Sequence, residues 1–189
     1  MNLELTLEQK MIQKMVREFT ENEVKPIAAE TDRTAQYPAE TIDQLFRYGI
    51  MGMCVPKEYG GAGADVLSAA IAVEELSKYC ASTGDIVATH NGLCCDPIMA
   101  NGTEEQKKKY LPEVLSGKKM GSFCLTEPDA GSDAAGCKTT AIWNGKEYIL
   151  NGLKCFITNG PLADYYMVVA LTNPELKTKG LTAFIVERE

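Results

Sequence analysis

The run Phe123 to Gly136, FCLTEPDAGSDAAG, carries the densest set of groups able to hold a ligand. It joins the end of a predicted strand to a turn with proline, glycine and several small polar donors. Gly131 lets the backbone approach a bound group closely, and Ser132 adds a hydroxyl donor. Consecutive N–H groups in such a turn form a nest for an anion. The same residues also suit an ordinary loop closed by Asp and Ser side chains. Some twenty residues on stands Asn151-Gly152-x-Lys154-x-Phe156-Ile157-Thr158-Asn159-Gly160, again small and polar around one aromatic ring.

Other reactive residues offer less. His90 and Cys94 stand four apart, a spacing that puts a thiol and an imidazole on one helix face. No oxyanion device or orienting group accompanies them, so a packed histidine is the preferred reading. The seven cysteines have no C-x-x-C pair and the chain has one histidine, which leaves no ligand set for zinc. They read as small buried hydrophobes of a reducing compartment.

These residues need elements to position them, and apolar spacing changes character near Gly117. Ahead of it the period is helical. Leu7, Met11, Met15 and Phe19 recur every four residues behind a capping box at Thr6 and Gln9, with Pro26 expected to limit the helix. Further helices are predicted from Pro38 to a stop at Gly49, from Val66 to Tyr79, from Ser82 to Cys95 ahead of Pro97, and from a second capping box at Thr103 and Gln106 to Gly117. Pro56 to Gly63 is a loop. After Gly117 come β-formers: Met120–Leu125, Lys138–Trp143, Glu147–Leu150, Tyr165–Thr172 and Leu181–Val186, with Asn144-Gly145 as a two-residue hairpin turn. Helices first and strands after imply an α+β chain: an all-α domain over residues 1–117 and a β domain over 118–189. A last strand with no closing element has an open edge, which suggests a truncated β domain and invites self-association.

The net charge of −7 argues against nucleic acid, whose binding rests on clustered Lys and Arg. The run Lys107-Lys108-Lys109 follows Glu104-Glu105 and reads as a solvated helix face. No apolar stretch reaches the ~20 residues of a membrane helix, and the N-terminus has no secretory or transit pattern. The expectation is a soluble, cytoplasmic protein.

Cys124-Leu125-Thr126-Glu127-x-x-Ala130-Gly131-Ser132-Asp133-x-x-Gly136 resembles the first signature of the acyl-CoA dehydrogenase family. Asn151–Gly160 resembles its second flavin segment, and Leu181–Arg188 (LTAFIVER) the strand that follows. Pro56–Gly63 and Gly102–Pro112 are family-like in form and order, so the likeness runs along essentially the whole chain. It is strongest to short-chain, butyryl-CoA-type members. The resemblance implies an antiparallel β-barrel or sandwich behind the helices, FAD as cofactor, an acyl-CoA substrate, electrons passed to an electron-transferring flavoprotein, and a homotetramer at full length. Phe123, Leu125 and Thr126 would line the isoalloxazine, with Thr126 at its pyrimidine edge. Gly131 and Ser132 would meet the pyrophosphate, Ser132 also lying near the CoA thioester. Phe156 and Ile157 would pack at the flavin, and Thr158 would bond near its N5. HNGL, residues 90–93, would lie near the acyl pocket.

Phe123 and Phe156 depart from the commoner tyrosine and tryptophan, keeping the apolar face and dropping a polar handle. The family reaction needs a carboxylate base against the substrate α carbon. In the family it comes from a C-terminal four-helix bundle, which the 189 residues do not contain. Glu127 has the place of a structural carboxylate, so no catalytic residue is assigned here. Competing readings are a non-catalytic interaction fragment and, within the same fold, an acyl-CoA oxidase or a flavin monooxygenase.

Overall fold

Both capping boxes form. In the computed structural model, which describes residues 4–189, Thr6 Oγ1 accepts from the Gln9 N–H at 3.2 Å and Gln9 Oε1 accepts from the Thr6 N–H at 3.0 Å, opening α1 (Leu7–Phe19). Thr103 and Gln106 do the same for α7 (Glu104–Leu115). Asp65 caps α4 (Val66–Ser77) by accepting from the Ser68 N–H at 2.7 Å, and Gln9 Nε2 donates to the same carboxylate at 2.7 Å, tying two helix starts together. Gly49, at φ +70°, ends α3 (Ala39–Arg47) as expected, with the Ile50 N–H returning to the Leu45 carbonyl.

The expected stripe on α1 needs correcting. Gln9, Val16 and Phe19 are buried, whereas Leu7 and Met11 face solvent. Steps of four residues drift about 40° each on an α-helix, so only the last member of that stripe reaches the core.

Nor do the two prolines end their helices. After α1 the chain makes a π turn at Thr20–Val24 and runs on as α2 (Lys25–Thr34); after α5 (Ala81–Thr89) a π turn at His90–Cys95 leads into α6 (Asp96–Asn101). In both, the residue just before the proline donates to the carbonyl five back, Lys25 to Thr20 and Asp96 to Asn91. The wider turn gives the proline ring room where a straight helix would clash. It also resets the drift. Val16, Thr20 and Val24 are all buried, as are Ile86, His90, Cys94 and Ile98, runs of four-residue steps that an unbroken α-helix would carry off the core face.

The structure divides into two units, Met1–Lys119 and Met120–Glu189. In the helical unit, Ile42, Leu45, Met51, Leu76, Val87 and Leu111 are almost wholly enclosed. Glu75 is buried there too, between Arg17 and Lys78 at 2.8 Å each. Asn91, in the second π turn, accepts from the Gly52 and Met53 N–H groups and donates to the Ile50 and Val87 carbonyls. His90 is a packed histidine: fully buried, its ring edge-on to Phe46 with centroids 5.4 Å apart, and Nε2 3.1 Å from the Val114 carbonyl.

The second unit is one mixed five-stranded sheet, which corrects the purely antiparallel expectation. β4 (Tyr165–Leu171) pairs antiparallel with β5 (Leu181–Glu187), but parallel with β1 (Gly121–Cys124) and, through Thr140, with β2 (Thr140–Trp143). Parallel pairing needs a long return path, supplied here by the turns and the hairpin between β1 and β4. In that hairpin β2 pairs with β3 (Tyr148–Asn151). Its turn is centred one residue later than expected, on Gly145-Lys146: Asn144 and Glu147 close it, and Asn144 Oδ1 accepts from both the Lys146 and Glu147 N–H groups. Among the described residues β5 pairs with β4 alone.

Candidate ligand site in the sheet unit

Beyond β1 the chain leaves the sheet through Leu125 and Thr126, both half-buried, and folds back at Glu127–Ala130, whose backbones bond reciprocally at 2.9 and 3.2 Å. The Glu127 side chain points inward, where it is saturated. It accepts from the Lys138 N–H at 2.6 Å, the Thr139 N–H at 2.9 Å, the Cys137 thiol at 3.1 Å and the Lys154 ammonium at 2.8 Å. Burial alone would raise this carboxyl. The ammonium and the N–H donors outweigh it and hold the group well below the usual carboxylate range. Burial and Glu127 together push the Cys137 thiol up, so it stays protonated and donates. Glu127 is thus a structural carboxylate with no capacity left for proton abstraction.

Lys154 reaches further. Its Nζ also donates to the Leu125 carbonyl at 2.9 Å, and the Cys155 N–H donates to the Thr126 carbonyl at 3.0 Å. The two segments singled out in the sequence are therefore fastened side by side, with Leu125 and Thr126 against the start of 154–160. Sequence reasoning missed this clasp. Its one signal was a lysine inside the otherwise apolar run Leu153–Ile157.

What the clasp presents is open to ligand. Phe156 is 93% exposed and stands at φ +55°, a conformation rare for an aromatic residue. Ile157 and Thr158 are half-buried behind it. Gly131 and Ser132 lie exposed beyond the Glu127 turn, and a side chain built at Gly131 would meet no atom within 4 Å. Gly131 is also not among the positive-φ glycines, so neither its backbone nor nearby packing accounts for a glycine there. Phe123 sits half-buried on β1 opposite Met167. At the far end of the segment Tyr166 Oη donates to the Gly160 carbonyl at 2.9 Å. Asn159 between them is buried at φ +63°, and neither of its amide atoms has a partner. An exposed aromatic ring beside an exposed hydroxyl residue and an uncrowded glycine fits a flat, hydrogen-bonding cofactor such as a flavin.

In the helical unit, Asn91 and Gly92 of the second π turn line a groove of about 500 Å³ with Cys54, Val66 and Ala88.

Residues 6–118 match the family model for the acyl-CoA dehydrogenase N-terminal domain, and residues 122–189 that for the acyl-CoA dehydrogenase middle domain. The chain belongs to the acyl-CoA dehydrogenase family. It is 52% identical over its whole length to a short-chain specific acyl-CoA dehydrogenase of Clostridium acetobutylicum, of which it covers 50%. Among solved structures it is similar to butyryl-CoA dehydrogenase from Megasphaera elsdenii, with a TM-score of 0.93, 43% identity, and 99% of this chain and 50% of that one covered. It is similar also to a chain in a structure described as an electron transferring flavoprotein of Acidaminococcus fermentans, with a TM-score of 0.94, 46% identity, and 100% and 50% covered. The chain spans about half the length of the acyl-CoA dehydrogenase relatives it matches. Among the described residues no helix is long and apolar enough to cross a membrane.

Proposed function

We propose that the fastened pair of segments, 123–136 and 151–160, holds FAD, and that these residues serve a short-chain acyl-CoA dehydrogenase. Such an enzyme desaturates the α,β bond of an acyl-CoA and passes the electrons to an electron-transferring flavoprotein. The observation that carries the reading is the clasp itself: Lys154 binds both segments and leaves Phe156, the most exposed large apolar side chain among the described residues, beside Leu125 and Thr126. Family membership and similarity to a short-chain and a butyryl-CoA enzyme support it. The flavoprotein named for the Acidaminococcus structure supports the choice of electron acceptor.

The chemistry the cofactor supplies is acceptance of the substrate's β hydrogen as hydride. The chain's own residues prepare the site. The Phe156 ring excludes water from one face, with Phe123, Leu125 and Ile157 as further apolar lining. The Thr158 hydroxyl serves the N5 edge, and Thr126 the pyrimidine edge. Gly131 and Ser132 meet the pyrophosphate, where Ser132 also lies near the CoA thioester. The α proton requires a carboxylate that Glu127 cannot be, and the reading puts that base outside these 189 residues. It also makes the full-length protein a cytoplasmic homotetramer.

Three results are expected of the 189-residue chain. Titration followed by flavin fluorescence should show weak FAD binding, and Phe156→Ala should weaken it roughly tenfold through lost ring contact. Butyryl-CoA with an artificial electron acceptor should give no turnover. Flavin-dependent turnover would place the base inside the chain and overturn that assignment, while absence of any FAD binding would overturn the cofactor reading. Light scattering should show concentration-dependent association through the edge of β5; a clean monomer over a wide concentration range argues against it.

A further inference from the structure

The residues between the clasp and Gly160 are held at both ends and take unusual backbone between. Lys154 anchors one end through its ion pair and the Leu125 carbonyl; the Tyr166 hydroxyl anchors the other at the Gly160 carbonyl. Within this span two residues other than glycine take left-handed backbone, Phe156 at φ +55° and Asn159 at φ +63°. Phe156 turns an apolar ring almost wholly into solvent, while Asn159, 8% exposed, turns a polar amide inward. That amide has an N–H₂ group and a carbonyl, and both are buried without a hydrogen-bond partner. Either feature alone is costly. Together they describe a segment with an apolar group out and an unpaired polar group in, the reverse of what burial favours.

A purely conformational reason for Asn159 is insufficient. Asparagine tolerates left-handed backbone, but glycine does so without burying an amide. The turn itself is made by the Asn159 backbone, whose carbonyl accepts from the Leu162 and Ala163 N–H groups at 2.9 and 2.8 Å. The side chain plays no part in that. Its two unpaired atoms therefore belong to another arrangement of the same residues.

We propose that Asn159 is a positioning residue of the cofactor site. Its amide gains partners only in the arrangement that residues 155–159 adopt around bound flavin, so seating the Phe156 ring and satisfying the Asn159 amide become one event. The inference rests on the FAD reading above and adds to it a residue and a coupling. Asn159 acts through the segment rather than by touching substrate.

Nitrogen-15 NMR of the full 189-residue chain tests it. The Asn159 side-chain N–H₂ pair is identified by its loss in Asn159→Gly. On titration with FAD that pair should move from a free to a saturated position in step with flavin fluorescence quenching. Asn159→Gly should be at least as stable in urea as the parent without FAD, yet bind FAD about tenfold more weakly, as befits loss of one buried hydrogen-bonded group. A resonance unmoved at saturation, as from an amide satisfied by an enclosed water, overturns the proposal. So does an Asn159→Gly chain that binds as the parent does, or one that is less stable or unfolded without FAD, because a merely structural asparagine behaves that way. A parent chain that does not bind FAD defeats the cofactor reading itself, and the Asn159 coupling with it.

Discussion

Replacing Lys154 by methionine should destabilise the sheet unit by about 3–5 kcal/mol, the range found when one partner of a buried ion pair is removed. Both side chains are enclosed, Lys154 at 10% and Glu127 at 4% exposure. Without the ammonium, the Glu127 carboxylate keeps its two backbone donors and the Cys137 thiol but loses its counter-charge, and the Leu125 carbonyl loses a donor. Either the charge stays buried and uncompensated or the carboxyl takes up a proton, and both cost stability. Trp143, the chain's single tryptophan, lies in this unit, so urea denaturation followed by its fluorescence reads the loss directly. Adding Glu127→Gln should recover part of it: the amide oxygen can still accept from the Thr139 N–H and the Cys137 thiol, and although the amide N–H₂ then faces the Lys138 N–H, no buried charge remains to be paired. A double-mutant cycle then gives a coupling energy well above that of a surface pair. A Lys154→Met chain within about 1 kcal/mol of the parent would mean that the clasp is not what fixes the two segments.

The helical unit should lose about 3 kcal/mol of stability as pH falls from 6.5 toward 4, and His90 should account for it. Burial holds its imidazole at about 4, below the ordinary value of 6.5, with the Val114 carbonyl opposing only in part. In the unfolded chain the ring takes a proton near 6.5; in the folded chain it refuses until about 4. Between the two the unfolded state binds more protons, so stability is complete above the upper value and declines on acidification. The carboxylates act lower. Glu75, which burial would raise but Arg17 and Lys78 hold at about 2, is also lowered, so its contribution begins to fail only near the ordinary carboxylate range and continues down to about 2. His90 is the only histidine, so no second imidazole contributes to the slope between pH 6.5 and 5, and Asp96, raised by burial, acts with the opposite sign. Far-UV circular dichroism of urea unfolding across that range should show the midpoint falling in the parent and nearly level in His90→Leu, whatever that variant's absolute stability. A slope that survives the substitution would remove His90 as its source.

What was legible in the sequence was local chemistry. Thr6 with Gln9, Thr103 with Gln106, and Gly49 mark helix ends because each works within a few residues. The strands fell within a few residues of expectation because β-formers and turn residues alternate there. Harder were features decided by partners far along the chain. Nothing near β1 tells that its neighbour is β4 running the same way, since that depends on the path of some forty residues between them. Pro26 and Pro97 carry a rule that holds only where the preceding turn is α-helical. In the site, the structural character of Glu127 followed from its motif, but its counter-ion stands 27 residues away. The backbone at Phe156 and the unpaired amide of Asn159 had no sequence signal beyond their membership of the second segment.

The two π turns carry a consequence for the length of the chain as much as for its composition. Each lodges one surplus residue in an otherwise continuous helix and hides it just ahead of a proline. Striking out a single residue from Thr20–Val24 or from His90–Cys95 would straighten the helix, yet it would bring the proline ring against the carbonyl four residues back and swing everything downstream by about 100°. Val24 in one case, and Cys94 with Ile98 in the other, would leave the core. At these places a change of residue acts through that residue's own contacts, as at His90 and Asn91, whereas a change in length is felt along the whole helix.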